Sequence, residues 1–211
     1  MSFKTENYKH AAASVIKKME KRGMCGYYCE TKEDIINKVL ELIPEQSSVT
    51  WGGSETLAES GVLDAIVNGN YEAIDRKSAK TPEESRELYG RIVCADYFLT
   101  STNAFTADGE LVNIDGNGNR VACLIAGPAH VIVVAGMHKL CANTDDAIRR
   151  IHTLAAPPNA IRVGVQTPCS TTGMCADCLG PKCICSQTVI TRRSAKPGRI
   201  IVILTAEELG F

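Results

Sequence analysis

The segment that most constrains the fold is residues 129–135, which read Ala-His-Val-Ile-Val-Val-Ala. All but one of these residues are apolar, and most of the apolar ones are β-branched. This composition is typical of a strand that helices cover on both faces, as in parallel sheets. The segment is far too short to cross a bilayer. We therefore expect it to form a central strand of a mostly parallel sheet.

Signals for helices and strands alternate along the rest of the chain. Helical spacing and capping residues predict helices over residues 8–22 and 31–43, with further helices starting at Ser54, Thr81 and Asn143. Pro157 and Pro158 are expected to end the last of these, in which Leu154 faces inward. Strands are predicted over residues 48–51, 71–75, 96–101, 110–115, 188–191 and 199–204, whereas residues 25–29 are predicted to form a loop. This alternation indicates an α/β fold with helices on both faces of the sheet.

The composition argues against several classes of protein. The chain of 211 residues is 45% hydrophobic and 22% charged, with a net charge of −1. It therefore offers no basic field for nucleic acid or for an anionic membrane surface. The first residues have no apolar segment typical of a signal peptide. Without an export signal, the 10 cysteines are expected to be reduced thiols and metal ligands in the cytoplasm.

Five of the cysteines are concentrated near the C-terminal end, with the spacing C-x5-C-x2-C-x4-C-x-C over residues 169–185. The C-x2-C step allows two thiolates to turn toward one metal ion when the backbone makes a tight loop. Four thiolate ligands are usual both for structural zinc and for iron–sulfur clusters. The spacing predicts a metal site in a cysteine-rich loop, residues 167–186, and leaves the metal open.

A glycine turn joins the predicted strand 48–51 to the next helix. In Gly52-Gly53-Ser54-Glu55-Thr56, the glycines allow a ligand to approach the backbone, and the following helix N-terminus favours an anion. Ligands in open α/β sheets bind beyond the carboxyl ends of the strands. The alternative is a plain tight turn in which Ser54 caps the helix.

A second group of polar residues follows the predicted strand 96–101. It contains Asn103, Asn113 and Asp115 and extends to Arg120. One interpretation is a ligand site; the other is a glycine-rich hairpin whose Asn and Asp residues serve turn geometry. We predict that Gly52, Gly53 and Ser54 share a pocket with these polar residues.

Several of these segments together resemble the lactate-utilisation (LUD) domain family, long catalogued as a domain of unknown function, which includes the C component of bacterial lactate-utilisation operons. The resemblance rests on residues 51–56, 102–117, 126–134 and 167–185, and it covers the chain from about Tyr8 to Phe211. It implies a single domain over residues 1–211, with N-terminal helices 8–43. It also implies a Rossmann-like open sheet, shared with sugar-phosphate isomerases and CoA transferases.

The resemblance also assigns roles to individual residues. It implies that Cys169, Cys175, Cys178 and Cys185 are the metal ligands, with Cys183 as a spare thiol or an alternative ligand. The ligand-binding set would be Gly52, Gly53, Ser54, Thr56, Asn103, Asn113 and Asp115. Asn103 stands where related isomerases have a catalytic Asp, and an amide cannot act as a general base. The candidates for such a base are Glu55, Asp108 and Asp115.

Three functions remain open from the sequence. The first is an accessory or subunit role in the oxidation of lactate to pyruvate, with an iron–sulfur cluster in the cysteine-rich loop and an iron–sulfur redox subunit as partner. The second is a stand-alone enzyme acting on a phosphorylated or CoA-linked small molecule. The third is a non-catalytic binding module that zinc stabilises. The oligomeric state is open too, with a homodimer as one alternative.

Overall fold

The computed structural model describes residues 2–211. The strands are β1 Cys25–Cys29, β2 Ser48–Trp51, β3 Glu72–Ile74, β4 Tyr97–Thr100, β5 Ala104–Thr106, β6 Leu111–Asp115, β7 His130–Gly136, β8 Leu140–Cys141, β9 Gln187–Thr191 and β10 Ile200–Thr205. The α-helices are α1 Phe3–Lys21, α2 Lys32–Leu42, α3 Glu55–Ser60, α4 Val62–Val67, α5 Pro82–Val93, α6 Asn119–Ile125, α7 Thr144–Arg150, α8 Ala156–Arg162 and α9 Pro168–Thr172.

The main sheet has six strands in the order β1-β10-β7-β4-β2-β3, and every neighbouring pair is parallel. Strand β7 lies between β10 and β4, and residues 131–135 are fully buried. The predicted central strand and the mostly parallel α/β sheet are therefore confirmed. The apolar run is explained by burial on both faces, since neither face of β7 meets water.

Each face of the main sheet has its own apolar core because successive side chains of a strand point to opposite faces. Val131 and Val133 join the core that α1, α5 and α6 cover. Ile132 and Val134 join the core that α2, α3 and α4 cover. The prediction of helices on both faces is correct. Of the helices that the structure describes in residues 2–211, none is long and apolar enough to span a membrane.

A second sheet was not predicted. It has four strands in the order β8-β5-β6-β9, in which β5 and β6 form an antiparallel hairpin. Its apolar residues pack against α7 and the turn that follows it, in a third core that contains Val112, Ala147 and Ile151. Strand β9 belongs to this sheet and β10 to the main one, so the two C-terminal strands are not neighbours.

The sequence-based prediction for residues 25–29 is wrong. They form β1, which pairs in parallel with β10 from Cys25 opposite Ile201 to Cys29 opposite Thr205. The pairing depends on residues far along the chain, so no local signal reveals it. Gly26 is needed here because a Cβ would stand 2.7 Å from the Ile16 side chain of α1.

The predicted end of the last long helix is also wrong. After α7 the chain widens into a π-helical turn, Ile151–Ala155, and continues as α8 through Pro157 and Pro158. Both prolines stand in the first turn of α8, directly after the π-helical turn has interrupted the regular α-helical bonding, so their missing N–H groups cost little. The wider turn also changes the phase of the side chains. Leu154 is consequently 61% exposed and does not face inward as predicted.

Candidate functional site

A cavity of about 380 Å³ lies beyond the carboxyl ends of the central parallel strands. The segments after β2, β4 and β6 line it, as does the short 3₁₀ turn Met137–Lys139 after β7. Helix α8 and residues 181–184 of the cysteine-rich loop complete the wall. This position is where ligands bind in open α/β sheets.

Cationic side chains dominate the lining of the cavity. The acidic side chains are Glu55 and Asp115, and the basic ones are Arg76, Arg120, Lys139, Arg162 and Lys182. Each acid is matched by one base, at 3.2 Å between Arg120 Nε and Asp115 Oδ2 and at 3.4 Å between Arg162 Nη1 and Glu55 Oε1. Within residues 2–211, Arg76, Lys139 and Lys182 form no ion pair. The cavity therefore has an excess of positive charge and suits an anion.

Arg120 is held rigidly by the polar segment that the sequence singled out. It donates to Asn113 Oδ1 at 2.5 Å, to Asn103 Oδ1 at 3.0 Å and to the backbone oxygen of Ile114 at 2.9 Å. Burial lowers its pKa, yet a guanidinium stays charged in proteins. Asn103 and Asn113 thus serve to position a cation, and Asn113 itself is fully buried and does not line the cavity.

The three carboxylates that were candidate bases have different surroundings. Asp115 is fully engaged, since its Oδ1 accepts the backbone N–H groups of Asn117 and Gly118 at 3.1 and 2.8 Å while Oδ2 faces Arg120. Glu55 lines the cavity beside Arg162. Asp108 lies in the exposed β5–β6 turn, pairs with Lys18 at 2.9 Å and does not line the cavity. The structure therefore brings Glu55 and Asp115 together, without Asp108.

The glycine turn lies against the arginines. A Cβ on Gly53 would stand 2.8 Å from Arg76 Nη2, and one on Gly52 would stand 3.3 Å from the Arg120 side chain. Ser54 caps α3 by accepting the N–H of Leu57 at 3.3 Å. Gly53, Ser54 and Thr56 line the cavity together with Asn103 and Asp115, whereas Gly52 faces a smaller apolar pocket on the other side of Arg120.

The sequence analysis missed four of the cavity cations, Arg76, Lys139, Arg162 and Lys182. Lys139 is the buried one among them. It is only 3% exposed, and its Nζ donates to Thr56 Oγ1 at 2.8 Å and contacts Ser101 Oγ at 3.4 Å. Burial, together with the nearby Arg150, lowers its pKa from 10.5 to about 7. In the sequence, the only sign of a site at Lys139 is its position three residues beyond an apolar strand. This sign is weak unless the strand is known to be central in the sheet.

The cysteine-rich loop forms part of the cavity wall through Cys183 and its neighbours. After α9, residues 173–186 form neither helix nor strand. Burial, followed by the nearby Cys183 thiol, raises the pKa of Cys178. Burial, and then the thiols of Cys183, Cys175, Cys169 and Cys178, raise the pKa of Cys185 to about 12. All five thiols are therefore near one another, although in the described part of the chain no three potential ligands have the geometry of a metal site.

Comparison with known proteins gives one family and several solved structures, including the following two. The family model described as LUD domain matches residues 12–205. A DUF162 family protein from Deinococcus radiodurans has a similar fold, with a TM-score of 0.55 at 8% identity, over 94% of this chain and 97% of that chain. For eIF2B delta from Chaetomium thermophilum, the TM-score is 0.37 at 15% identity, over 68% of this chain and 55% of that chain. No curated protein matches the sequence.

Proposed function

Since the chain belongs to the LUD domain family, which at the level of the family implies a part in lactate utilisation, we propose that it binds a small carboxylate in the cationic cavity. In this proposal it acts as a subunit or accessory protein in the oxidation of lactate to pyruvate, and an iron–sulfur partner accepts the electrons. The observation that carries the proposal is the set of three cavity cations without an ion pair, Arg76, Lys139 and Lys182.

The dimensions and chemistry of the cavity support a small anionic ligand. A volume of about 380 Å³ is at the lower end of the range for ligand pockets, about 300–1,000 Å³. Arg120 contributes positive charge at a fixed position, although its N–H groups are engaged by two side-chain amides, a backbone oxygen and Asp115. Arg76 and Lys182 add charge from the mouth of the cavity, where both side chains are exposed. Lactate and pyruvate both fit these requirements.

A binding experiment tests this proposal directly. Calorimetric titration should show binding of lactate or pyruvate and none of lactamide, which has the shape of lactate without its charge. Arg76→Gln should weaken binding about tenfold, as expected for one lost charge-assisted contact. Arg193→Gln, at an exposed position outside the cavity, is the matched control. Equal binding of lactate and lactamide would refute the proposal.

The same titration distinguishes the proposed lactate role from the second candidate function. Unpaired cations also suit a phosphate, so the stand-alone enzyme on a phosphorylated or CoA-linked molecule predicts that inorganic phosphate or CoA competes with lactate. Binding of phosphate or CoA with no binding of lactate would favour that alternative.

We also propose that the cysteine-rich loop holds an iron–sulfur cluster, with zinc as the alternative. The donor set fits in its chemistry, because five thiols are near one another and thiolates are the ligands that both centres use. Cys169, Cys175, Cys178 and Cys185 would hold the metal. A cluster would supply one-electron transfer to the partner, whereas zinc would only fix the loop.

Anaerobic purification with metal analysis and an absorption spectrum tests the metal proposal. Brown protein with bound iron supports the cluster, and colourless protein with zinc supports the binding module. Cys175→Ser and Cys178→Ser should each release the metal, whereas Cys183→Ser should not. Cys94→Ser, at an exposed thiol outside the loop, is the control. Full metal retention in Cys178→Ser would exclude this site.

A further inference from the structure

Lys139 is a buried amine that no carboxylate neutralises among the described residues. Its side chain reaches the cavity wall from the 3₁₀ turn after β7. The charged groups around it are mostly like-charged: Arg150 and Arg120 lower its pKa, and only Glu59, on the exposed side of α3, raises it. Buried lysines are usually paired. Burial of a lysine near arginines destabilises the folded protein, which favours a functional role for this amine.

The hydrogen bonds of Lys139 leave the nitrogen lone pair available. Thr56 Oγ1 donates its own proton to the backbone oxygen of Leu209 at 3.0 Å, so it accepts from Nζ. Ser101 Oγ donates to the backbone oxygen of Thr102 at 3.3 Å and likewise accepts from Nζ. A neutral amine has two N–H bonds and one lone pair. Both N–H bonds are directed to hydroxyl oxygens, and no donor occupies the lone pair.

The pKa of Lys139 also indicates that its amine can react as a nucleophile. With a pKa near 7, a substantial share of the side chain is a neutral amine at neutral pH. An ordinary lysine, with a pKa of about 10.4, is neutral on the order of a thousandfold less often. Desolvated lysines next to other cations are known as nucleophiles toward carbonyl substrates.

We propose that Lys139 forms an imine with the carbonyl carbon of a short oxo acid bound in the cavity. The arginines select the anionic group, and the amine selects a carbonyl next to it. The Nζ lone pair forms the C–N bond, the two N–H protons pass to the carbonyl oxygen, and that oxygen leaves as water. No electrons are exchanged with another molecule. The inference rests on the proposed anion site and adds the substrate class and the reacting group.

Two kinds of anionic carbonyl compound share this chemistry, a 2-oxo carboxylate and a phosphorylated ketone. The experiment therefore uses pyruvate and dihydroxyacetone phosphate in separate arms, each with sodium cyanoborohydride, which reduces an imine to a stable secondary amine. Peptide mass mapping of the wild-type protein then locates the adduct. We expect modification of Lys139 about tenfold or more above that of any exposed lysine, because only a neutral amine attacks. The arm that reacts identifies the anionic group.

Control variants and a binding measurement distinguish failure of the imine proposal from failure of the anion site. Lys139→Arg cannot form an imine, so it should lose the adduct, and calorimetry of the wild-type protein measures pyruvate binding separately. Lys17→Arg, at an exposed position on α1, should keep the adduct. If pyruvate binds but no adduct forms at Lys139, or if adducts spread evenly over surface lysines, the imine is refuted and the anion site stands. If neither compound binds and no adduct forms, both proposals fail. The wild-type mapping decides the question even if Lys139→Arg does not fold.

Discussion

Two arginines of the cavity differ in how firmly the protein holds their guanidinium groups. Arg120 is bonded to two amides and a backbone oxygen, so its position is set before any ligand arrives. Arg76 is exposed and has no ion pair in the described chain, and its guanidinium lies against Gly53. The charge of Arg120 therefore attracts an anion without any loss of side-chain freedom on binding. Arg76 instead has to be ordered by the ligand.

Gly53→Ala tests the position of Arg76. The new Cβ would stand 2.8 Å from Arg76 Nη2, the far end of a flexible side chain, so the guanidinium has to move. We expect lactate affinity to fall about five- to tenfold, the loss of roughly one charged hydrogen bond, with little change in melting temperature. Gly90→Ala, where a Cβ meets nothing within 4 Å, should leave affinity unchanged. A large loss of stability in Gly53→Ala would show that the glycine serves the backbone instead.

His138 gives the protein a measurable acid sensitivity. Neither ring nitrogen has a hydrogen-bond partner, and burial, followed by Lys139 and Arg150, lowers its pKa from 6.5 to about 4. The unfolded chain binds the proton more readily, so stability is complete above pH 6.5 and decreases as the pH falls toward 4. The loss should reach about 3 kcal/mol.

The variant His138→Leu should remove this loss, as measured by urea unfolding at pH 7 and pH 4.5. The leucine cannot be protonated and leaves no buried nitrogen without a partner. His10→Leu, at an exposed position, should unfold with the wild-type pH profile. The same decrease of stability in His138→Leu would assign the acid sensitivity to other groups.

At the scale of elements, the π-helical turn determines how α8 meets the cavity. The turn Ile151–Ala155 joins α7 to α8 without a break in the helical path. It shifts the phase of the following residues, so that Ile151 and Ala155 are buried while Leu154 faces solvent. Helix α8 then directs Asn159 and Arg162 to the cavity. Such turns are frequent at functional sites.

Two alanine substitutions test which side chains the π-helical turn directs into the core. Ile151→Ala should lower the free energy of unfolding by about 2–4 kcal/mol, the usual cost of emptying a buried aliphatic site. Leu154→Ala should cost less than about 0.5 kcal/mol, because an exposed side chain contributes little. Chemical denaturation of the two proteins under one set of conditions gives the comparison. Losses of about 2–4 kcal/mol in both proteins would mean that both side chains are buried, which contradicts the phase that the π-helical turn sets.

The elements that the sequence predicted correctly are those with strong local signals. Consecutive residues of β7 are apolar, whereas a strand buried on one face needs only every second residue to be apolar. Helix α2 has the capping box of Thr31 and Asp34. The elements that were missed have no such signal: β5 and β8 are three and two residues long, and β1 depends on a distant partner. The cations of the cavity come from separate segments of the chain, so only the fold reveals that Lys139 lies beside Thr56.

At the scale of the whole molecule, the cavity joins the two sheets and the cysteine-rich loop. The main sheet supplies the glycine turn and Lys139, and the second sheet supplies Asp115. The loop supplies Lys182 and Cys183. The state of the thiols is therefore coupled to the shape of the cavity, because Cys183 is at once a neighbour of Cys178 and a part of the wall.

Alkylation of the thiols tests this coupling. Iodoacetamide at Cys183 adds a side group at the cavity wall, so lactate binding should fall at least about tenfold by exclusion of the ligand. The Cys183→Ser protein should bind lactate normally and keep that binding after the same treatment, in which the other accessible thiols still react. An equal loss in Cys183→Ser would place the effect at another cysteine.

The order of the main sheet also has a consequence for the newly made chain. Strand β10 lies between β1 and β7, so residue 25 finds its partner only when residue 201 has been synthesised. Until then β7 has one open edge, with apolar side chains on both faces, and β1 has no neighbouring strand. Open apolar edges are the surfaces on which chains aggregate. We therefore expect a nascent chain of this protein to be prone to aggregation until β10 has been synthesised.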